Sequence, residues 1–361
     1  MSVRRGLVLV ALATLGACSP NDPHRTVAPI AATTTATIGG GSSTITVAAA
    51  TDGAPRPTSS PSTNAGTSTP APTSRGSVTP SSTGGPSPSA ASTTVTPALL
   101  AGLAADPPGL ARQLTDALRT VRDPAAAADA VDAAGRRQQL VLRRLAAHPD
   151  WQAAALVAVG DDVRTFAAND VAALNAPGDP SLAKPVPPLD ALPAWTIRAP
   201  RPAAELLGYY RQAEAATGIP WTYLAAINLV ETRMGRIVGP SSVGAQGPMQ
   251  FMPATWASCC RGDPMDDRDA IAGAAQYLRR RGGPADMTRA VLGYNPNNAY
   301  LTMIQHYVAN LSADERLYAG YHAWQVFVST TAGPVRVPVG YAASAPVPAA
   351  GYVADHPDDR A

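Results

Sequence analysis

Aromatic residues make up only 5% of this 361-residue chain, too few to furnish a core along its whole length. Cysteine is scarcer still, with three in all. Cys18 stands alone, and Cys259 and Cys260 are neighbours with no CxxC or His/Cys spacing, so no zinc site is indicated. Adjacent cysteines can join only in a vicinal bridge, because ordinary disulfides need a larger Cα separation. The expectation for the pair is two small, half-buried thiols without a bridge or a catalytic duty. Charge of one sign is lacking too: 28 basic against 26 acidic residues leave a net +2, which gives no footing for nucleic acid. There is no phosphate loop and no dinucleotide fingerprint. The five histidines, His24, His148, His306, His322 and His356, are scattered and pair with no serine or cysteine at an interpretable spacing. No cofactor and no metal are expected. The acidic run Asp263, Asp266, Asp267 and Asp269 lacks the alternating acids and closing glutamate of a calcium loop. It is expected to be a solvated turn, with Asp269 capping a helix.

The N-terminus has the layout of an export signal. Arg4 and Arg5 precede an apolar stretch, Gly6 to Leu15, that is too short to span a membrane as a helix. It runs into Leu15-Gly16-Ala17-Cys18, which resembles a bacterial lipobox. That resemblance implies cleavage before Cys18, acylation of its thiol, and an extracytoplasmic, membrane-anchored protein facing the cell wall. Residues 19–96 are Thr, Ser, Pro, Ala and Gly with almost no large apolar side chains. Such a segment cannot offset its ordering entropy and is expected to be a disordered tether with an r.m.s. span of roughly 50 Å.

The remainder reads as mainly α. Leu110, Leu114 and Leu118 recur every four residues, a second pattern runs from Pro124 to His148, and a third carries Trp151, Leu156, Val163 and Phe166. Residues 97–174 are therefore expected to form a helical module. A Pro-rich connection, 175–201, separates it from a second domain, 202–332. There, Ala203 to Thr217 is a helix stopped by Gly218, and the next, opened by Pro220, delivers Glu231. Arg279-Arg280-Arg281 suits a helix C-terminus. Near the end the period becomes two, with Trp324, Val326 and Val328, then Ala332-Gly333, then Val335, Val337 and Val339, which predicts a β-hairpin. Residues 333–361 are expected to be the second hairpin strand and a loose tail, because the sequence past Ala342 is rich in Pro and Ala.

Glu231 follows the apolar run Ala225-Ala226-Ile227-Asn228-Leu229-Val230. A carboxyl on such a helix is desolvated, and desolvation raises its pKa toward the range of a general acid. Downstream, Gly244 to Pro253 combines glycines, which admit close backbone approach, with Gln250, which can donate and accept, and with the soft side chains of Met249 and Met252. Tyr294-Asn295 adds a hydroxyl and an amide. Taken singly, each element has a bland explanation: a solvated glutamate, a glycine turn before core methionines, a chance dipeptide.

In this order, Glu231-Thr232, Gly244 to Gln250, Asp269-Ala270-Ile271 leading to Ala274-Ala275-Gln276-Tyr277-Leu278, and Tyr294-Asn295 resemble the lytic transglycosylase family with the lysozyme-like fold. The resemblance covers roughly residues 202–311. Thr232 stands where the family commonly has serine, and Tyr294-Asn295-Pro296-Asn297 replaces the usual Tyr-Asn-Ala-Gly. The resemblance implies a lysozyme-like catalytic domain acting on peptidoglycan glycan strands. Glu231 is the implied catalytic acid and base, with Thr232, Gly247, Met249, Gln250, Tyr294 and Asn295 lining the substrate. It also implies cleavage of the β-1,4 bond between N-acetylmuramic acid and N-acetylglucosamine with a 1,6-anhydro product. Two alternatives stay open: a hydrolase, should one acid of the 263–269 run serve as a second carboxylate, and a wall-binding lipoprotein without catalysis.

Overall fold

The computed structural model describes residues 98–184 and 186–361. The expected export signal, Cys18 and the tether 19–96 lie outside the described residues. The described chain is mainly helical, with three two-stranded antiparallel sheets among the described residues.

Four helices come first: α1 (Pro107–Arg122), α2 (Ala128–Ala147), α3 (Pro149–Ala158) and α4 (Arg164–Asn175). Asp106 caps α1 by accepting the Gly109 N–H at 2.7 Å, just ahead of prolines at the first helical positions. The pattern expected after Asp150 is two helices, not one. Gly160 lies between them, and a side chain there would collide with Arg119 and Asp162.

Strands β1 (Ala191–Leu192) and β2 (Thr196–Ile197) follow, then α5 (Ala203–Thr217), α6 (Trp221–Thr232) and β3 (Ile237–Val238). Gly218 ends α5 in the left-handed conformation, φ 77°. The chain continues through α7 (Pro253–Cys259), α8 (Asp267–Arg280), α9 (Met287–Tyr294), α10 (Asn298–Ala313) and α11 (Leu317–His322). It closes with β4 (Val326–Thr330), β5 (Gly333–Val337), β6 (Val347–Pro348) and α12 (Ala349–Asp355).

The expected boundary between a helical module and a second domain is not a boundary in the core. One apolar cluster runs from Leu110 and Leu142 through Leu174 to Leu224, Tyr300 and Trp324. Helix α2 meets α11 so closely that a Cβ on Gly135 would lie 2.4 Å from the Gly320 carbonyl oxygen, so only glycine fits. Asp170 of α4 reaches Tyr321 of α11 and Asn310 of α10, and Gln139 of α2 hydrogen-bonds both the N–H and the carbonyl of Gln325. The early helices are thus a structural part of the body that carries α6.

A second apolar cluster gathers the β elements. Val326 and Val328 of β4 and Val335 and Val337 of β5 pack with Leu192, Trp195, Ile197, Ile237 and Tyr352. The alternation predicted the hairpin, and the register Val326↔Val337 and Thr330↔Gly333 realises it. The tail, however, is ordered rather than loose. β6 pairs with β1, Tyr352 of α12 is buried, Arg336 forms an ion pair with Asp359, and the last residue donates its N–H to the Pro334 carbonyl. Val347, Ala349 and Tyr352 anchor the tail within a Pro/Ala-rich composition.

The acidic run also departs from expectation. Asp266, not Asp269, caps α8, accepting the N–H groups of Arg268 and Asp269. Asp267 is buried and receives Arg198 and Arg201 at 2.8 and 2.9 Å. Asp269 instead accepts the Asp263 N–H. Cys259 and Cys260, expected as free thiols, are joined in a vicinal disulfide with a Cα separation of 3.7 Å. They lie at the end of α7, where the Cys260 sulfur approaches the Gly273 carbonyl of α8.

Candidate active site

Helix α6 is buried along almost its entire length; among its twelve residues only Tyr223 is not buried. A helix that is apolar on every side belongs in the interior, and this one carries a polar file, Asn228, Glu231 and Thr232, to its C-terminal end. The helix stops abruptly. Arg233, Met234 and Gly235 adopt positive φ of 54°, 60° and 77°, and the Arg233 guanidinium folds back onto the Leu229 carbonyl. Two consecutive non-glycine residues in this region cost roughly 1–2 kcal/mol each, and such strain persists only where packing over-determines it.

Glu231 is 1% exposed. One carboxyl oxygen, Oε1, accepts the Tyr300 hydroxyl at 2.8 Å, whereas Oε2 is buried and has no hydrogen-bond partner. Burial pushes the carboxyl up to about 8, with the Tyr300 hydroxyl pulling the other way. Near neutral pH the group therefore holds its proton. A buried polar atom without a partner is rare in a native interior, and an unfilled reactive position is one physical reason for it.

The segment 244–252 is a tight loop fastened to α6. Gln246 and Phe251 exchange backbone hydrogen bonds at 2.8 and 2.9 Å, closing a turn from Gly247 to Gln250. The first three carbonyls of that turn each accept a side-chain donor. Gly247 receives the Gln250 amide at 2.9 Å, Pro248 receives Thr232 at 2.6 Å and Asn228 at 2.8 Å, and Met249 receives the Tyr294 hydroxyl. Gly247 has φ 74°, and a Cβ there would lie 1.8 Å from the Pro264 carbonyl oxygen, so no other residue fits. Phe251 packs edge-on against Tyr294, Trp256 and Tyr277, anchoring the far end of the loop.

The structure thus joins Glu231, Thr232, Gly247, Met249, Gln250 and Tyr294 in one assembly through α6, the loop and α9. Several have different duties from those expected. The Thr232 and Tyr294 hydroxyls are donated to loop carbonyls, and Met249 is fully enclosed, so its sulfur offers no surface to a sugar. Asn295 is buried at the C-cap of α9. The acids of the 263–269 run are engaged around the start of α8, and none of their hydrogen bonds reaches Glu231. Among the described residues no cluster of His, Cys, Asp or Glu could hold a metal.

Two residues were missed by the sequence reading. Tyr300 sits on α10, where the Asn297 side chain caps its N–H, and no motif marks it. Asn228 was legible in principle, being polar, buried and one helical turn before Glu231; the Tyr210 hydroxyl donates to its side-chain oxygen at 2.6 Å.

No protein-family model matches the chain, and the comparisons with curated proteins and with solved structures return no match.

Proposed function

We propose that the chain is a peptidoglycan lytic transglycosylase of lysozyme-like fold, exported and anchored through an acylated Cys18 so that it faces the cell wall. The observation that carries this reading is the Glu231 carboxyl: buried, held at Oε1 by Tyr300, raised to about 8, and with no protein donor to its buried Oε2. The ordered recurrence of the Gly244–Gln250 loop and of Tyr294-Asn295 around it supports the same reading.

In this mechanism the protonated Glu231 delivers its proton to the glycosidic oxygen between N-acetylmuramic acid and N-acetylglucosamine as the C1–O bond breaks. The muramyl 2-acetamido group, or the sugar's own ring oxygen, relieves the charge at C1. Glu231, now a carboxylate, takes the proton from the muramyl C6 hydroxyl, whose oxygen bonds to C1. The product is a 1,6-anhydro ring, and the glutamate ends protonated as it began. A single carboxyl serves both steps, so no second acid is required in the pair that two-carboxylate glycosidases use. The pinned loop would supply a fixed wall beside the reacting bond, the carbonyls of Gly247, Pro248 and Met249 being held by side-chain donors.

The test is incubation with purified sacculi and mass spectrometry of the released fragments. Anhydro-muropeptides are the expected result. Reducing muramyl ends would instead identify a hydrolase, and binding without release a non-catalytic wall protein. Glu231→Gln should cut release by roughly 10²-fold or more while glycan affinity persists; turnover close to that of the unaltered chain would overturn the assignment.

A further inference from the structure

Just past the strained end of α6, Arg236 enters a different environment. A cavity of about 140 Å³ lies where α2, β2, β3 and the β4–β5 hairpin meet, lined by Arg136, Ile197, Arg236, Gln325, Val337 and Val339 among others. Among the described residues its charged lining consists of the two arginines, with no acid. Arg236 is nine-tenths buried, its Nη2 donates to the His322 carbonyl at 2.9 Å, and its Nη1 is buried without a hydrogen-bond partner. Arg136 is half-exposed, and its ion pair with Asp132, the one it makes among the described residues, is long at 3.8 Å. Burial, with the repulsion of Arg136 and Arg233 and against the attraction of Asp132, pulls the Arg236 guanidinium down to about 10. A buried guanidinium with an unused N–H and surplus positive charge is costly unless an anion completes it.

We infer that this cavity is a binding site for one small oxyanion of phosphate size, clamped between Arg136 and Arg236. Guanidinium groups present paired donors that match the oxygens of phosphate or carboxylate. The volume, room for roughly four or five waters, admits a single such group and excludes drug-sized ligands, whose sites run to about 300–1,000 Å³. The buried apolar part of the lining, Ile197, Val326 and Val337, keeps the dielectric low on that side and the ion pair strong. The same oxyanion could arrive as free inorganic phosphate or as the phosphodiester of a wall polymer.

The experiment titrates the full chain with inorganic phosphate, and separately with bis-glycerol phosphate as a diester, at constant ionic strength set with chloride. The readouts are melting temperature and the ³¹P line width. The expected result is a saturable rise in melting temperature and broadening of the ³¹P line, both weakened at least tenfold in Arg136→Gln and lost in Arg236→Gln. Arg136→Gln, being on the half-exposed side, keeps the test valid if Arg236→Gln fails to fold. Equal affinity for the diester assigns the group to a polymer, and phosphate binding alone assigns a free ion. A melting shift that chloride reproduces, or unchanged phosphate affinity in Arg136→Gln, overturns the proposal.

Discussion

Asp170 and Glu231 are both buried in the helical body, and their surroundings are opposite in kind. Asp170 of α4 is surrounded by donors: the Tyr321 hydroxyl at 2.6 Å and the Asn310 amide at 3.1 Å on one oxygen, and the Gln138 amide at 2.7 Å on the other. Glu231 has one donor, Tyr300, and an empty oxygen. Burial raises both groups, Asp170 to about 7 and Glu231 to about 8. Shift alone therefore does not separate a structural acid from a working one. The distinction lies in whether the hydrogen-bonding capacity is already filled: Asp170 ties α2, α4, α10 and α11 together, while the Oε2 of Glu231 has no hydrogen-bond partner, as the proposed acid role requires.

Swapping the two groups for neutral residues should break them apart. Glu231→Gln is expected to lose turnover by roughly 10²–10⁴-fold, the usual worth of a general acid, while the melting temperature stays level or rises. Asp170→Ala should do the reverse. It strands the Tyr321, Asn310 and Gln138 donors inside the core and costs about 2–4 kcal/mol in chemical denaturation, with turnover per folded molecule unchanged. A large activity loss in Asp170→Ala at full folding would collapse the distinction.

The pH dependence sharpens it further. Each acid has a folded pKa above its unfolded value, so the native state binds the extra proton between them. Stability is then greatest below the unfolded values of 4.5 and 3.8 and falls as pH rises toward about 8 for Glu231 and about 7 for Asp170. Glu231→Gln should flatten the upper part of that decline. Activity should fall above about pH 8 as the glutamate loses its proton. Tyr300→Phe removes the donor that lowers the Glu231 pKa, so the basic limb of the rate profile should move upward while turnover drops by about tenfold. A limb that stays in place would mean that the hydroxyl does not act on the carboxyl.

The local pieces of the candidate site were more legible in the sequence than the packing that joins them. Glu231 and the 244–252 loop stand out because glycine, amide and acid in a fixed order reflect local backbone needs. The limits of α5 were equally plain, since Gly218 is a local stop. What stayed hidden depends on distant partners. Tyr300 reaches Glu231 across 69 positions. The tail is ordered by pairing with β1 over a hundred residues earlier, and Asp267 is buried only because Arg198 and Arg201 come to it. The disulfide between Cys259 and Cys260 likewise escaped a reading based on usual Cα spacing. The supposed boundary at 175–201 failed for the same reason: proline content marks a break in helix, not a break in the core.

The smallest effect concerns Thr232, which the order of motifs suggested as a sugar contact and which instead fastens the loop. Its hydroxyl donates to Pro248 and accepts the Gly235 N–H at 3.1 Å. Thr232→Val keeps the shape but leaves that N–H unpaired, while Asn228 still serves the Pro248 carbonyl. The cost should be about 1 kcal/mol of stability. The loop that Asn228 and Thr232 pin to α6 beside Glu231 in sequence is loosened as well, so on the proposed function kcat should fall modestly with KM nearly constant. Thr232→Ser retains the hydroxyl and should restore both quantities. If serine instead proves as impaired as valine, the methyl group and not the hydrogen bond holds the loop, and the fastening role assigned to this side chain is wrong.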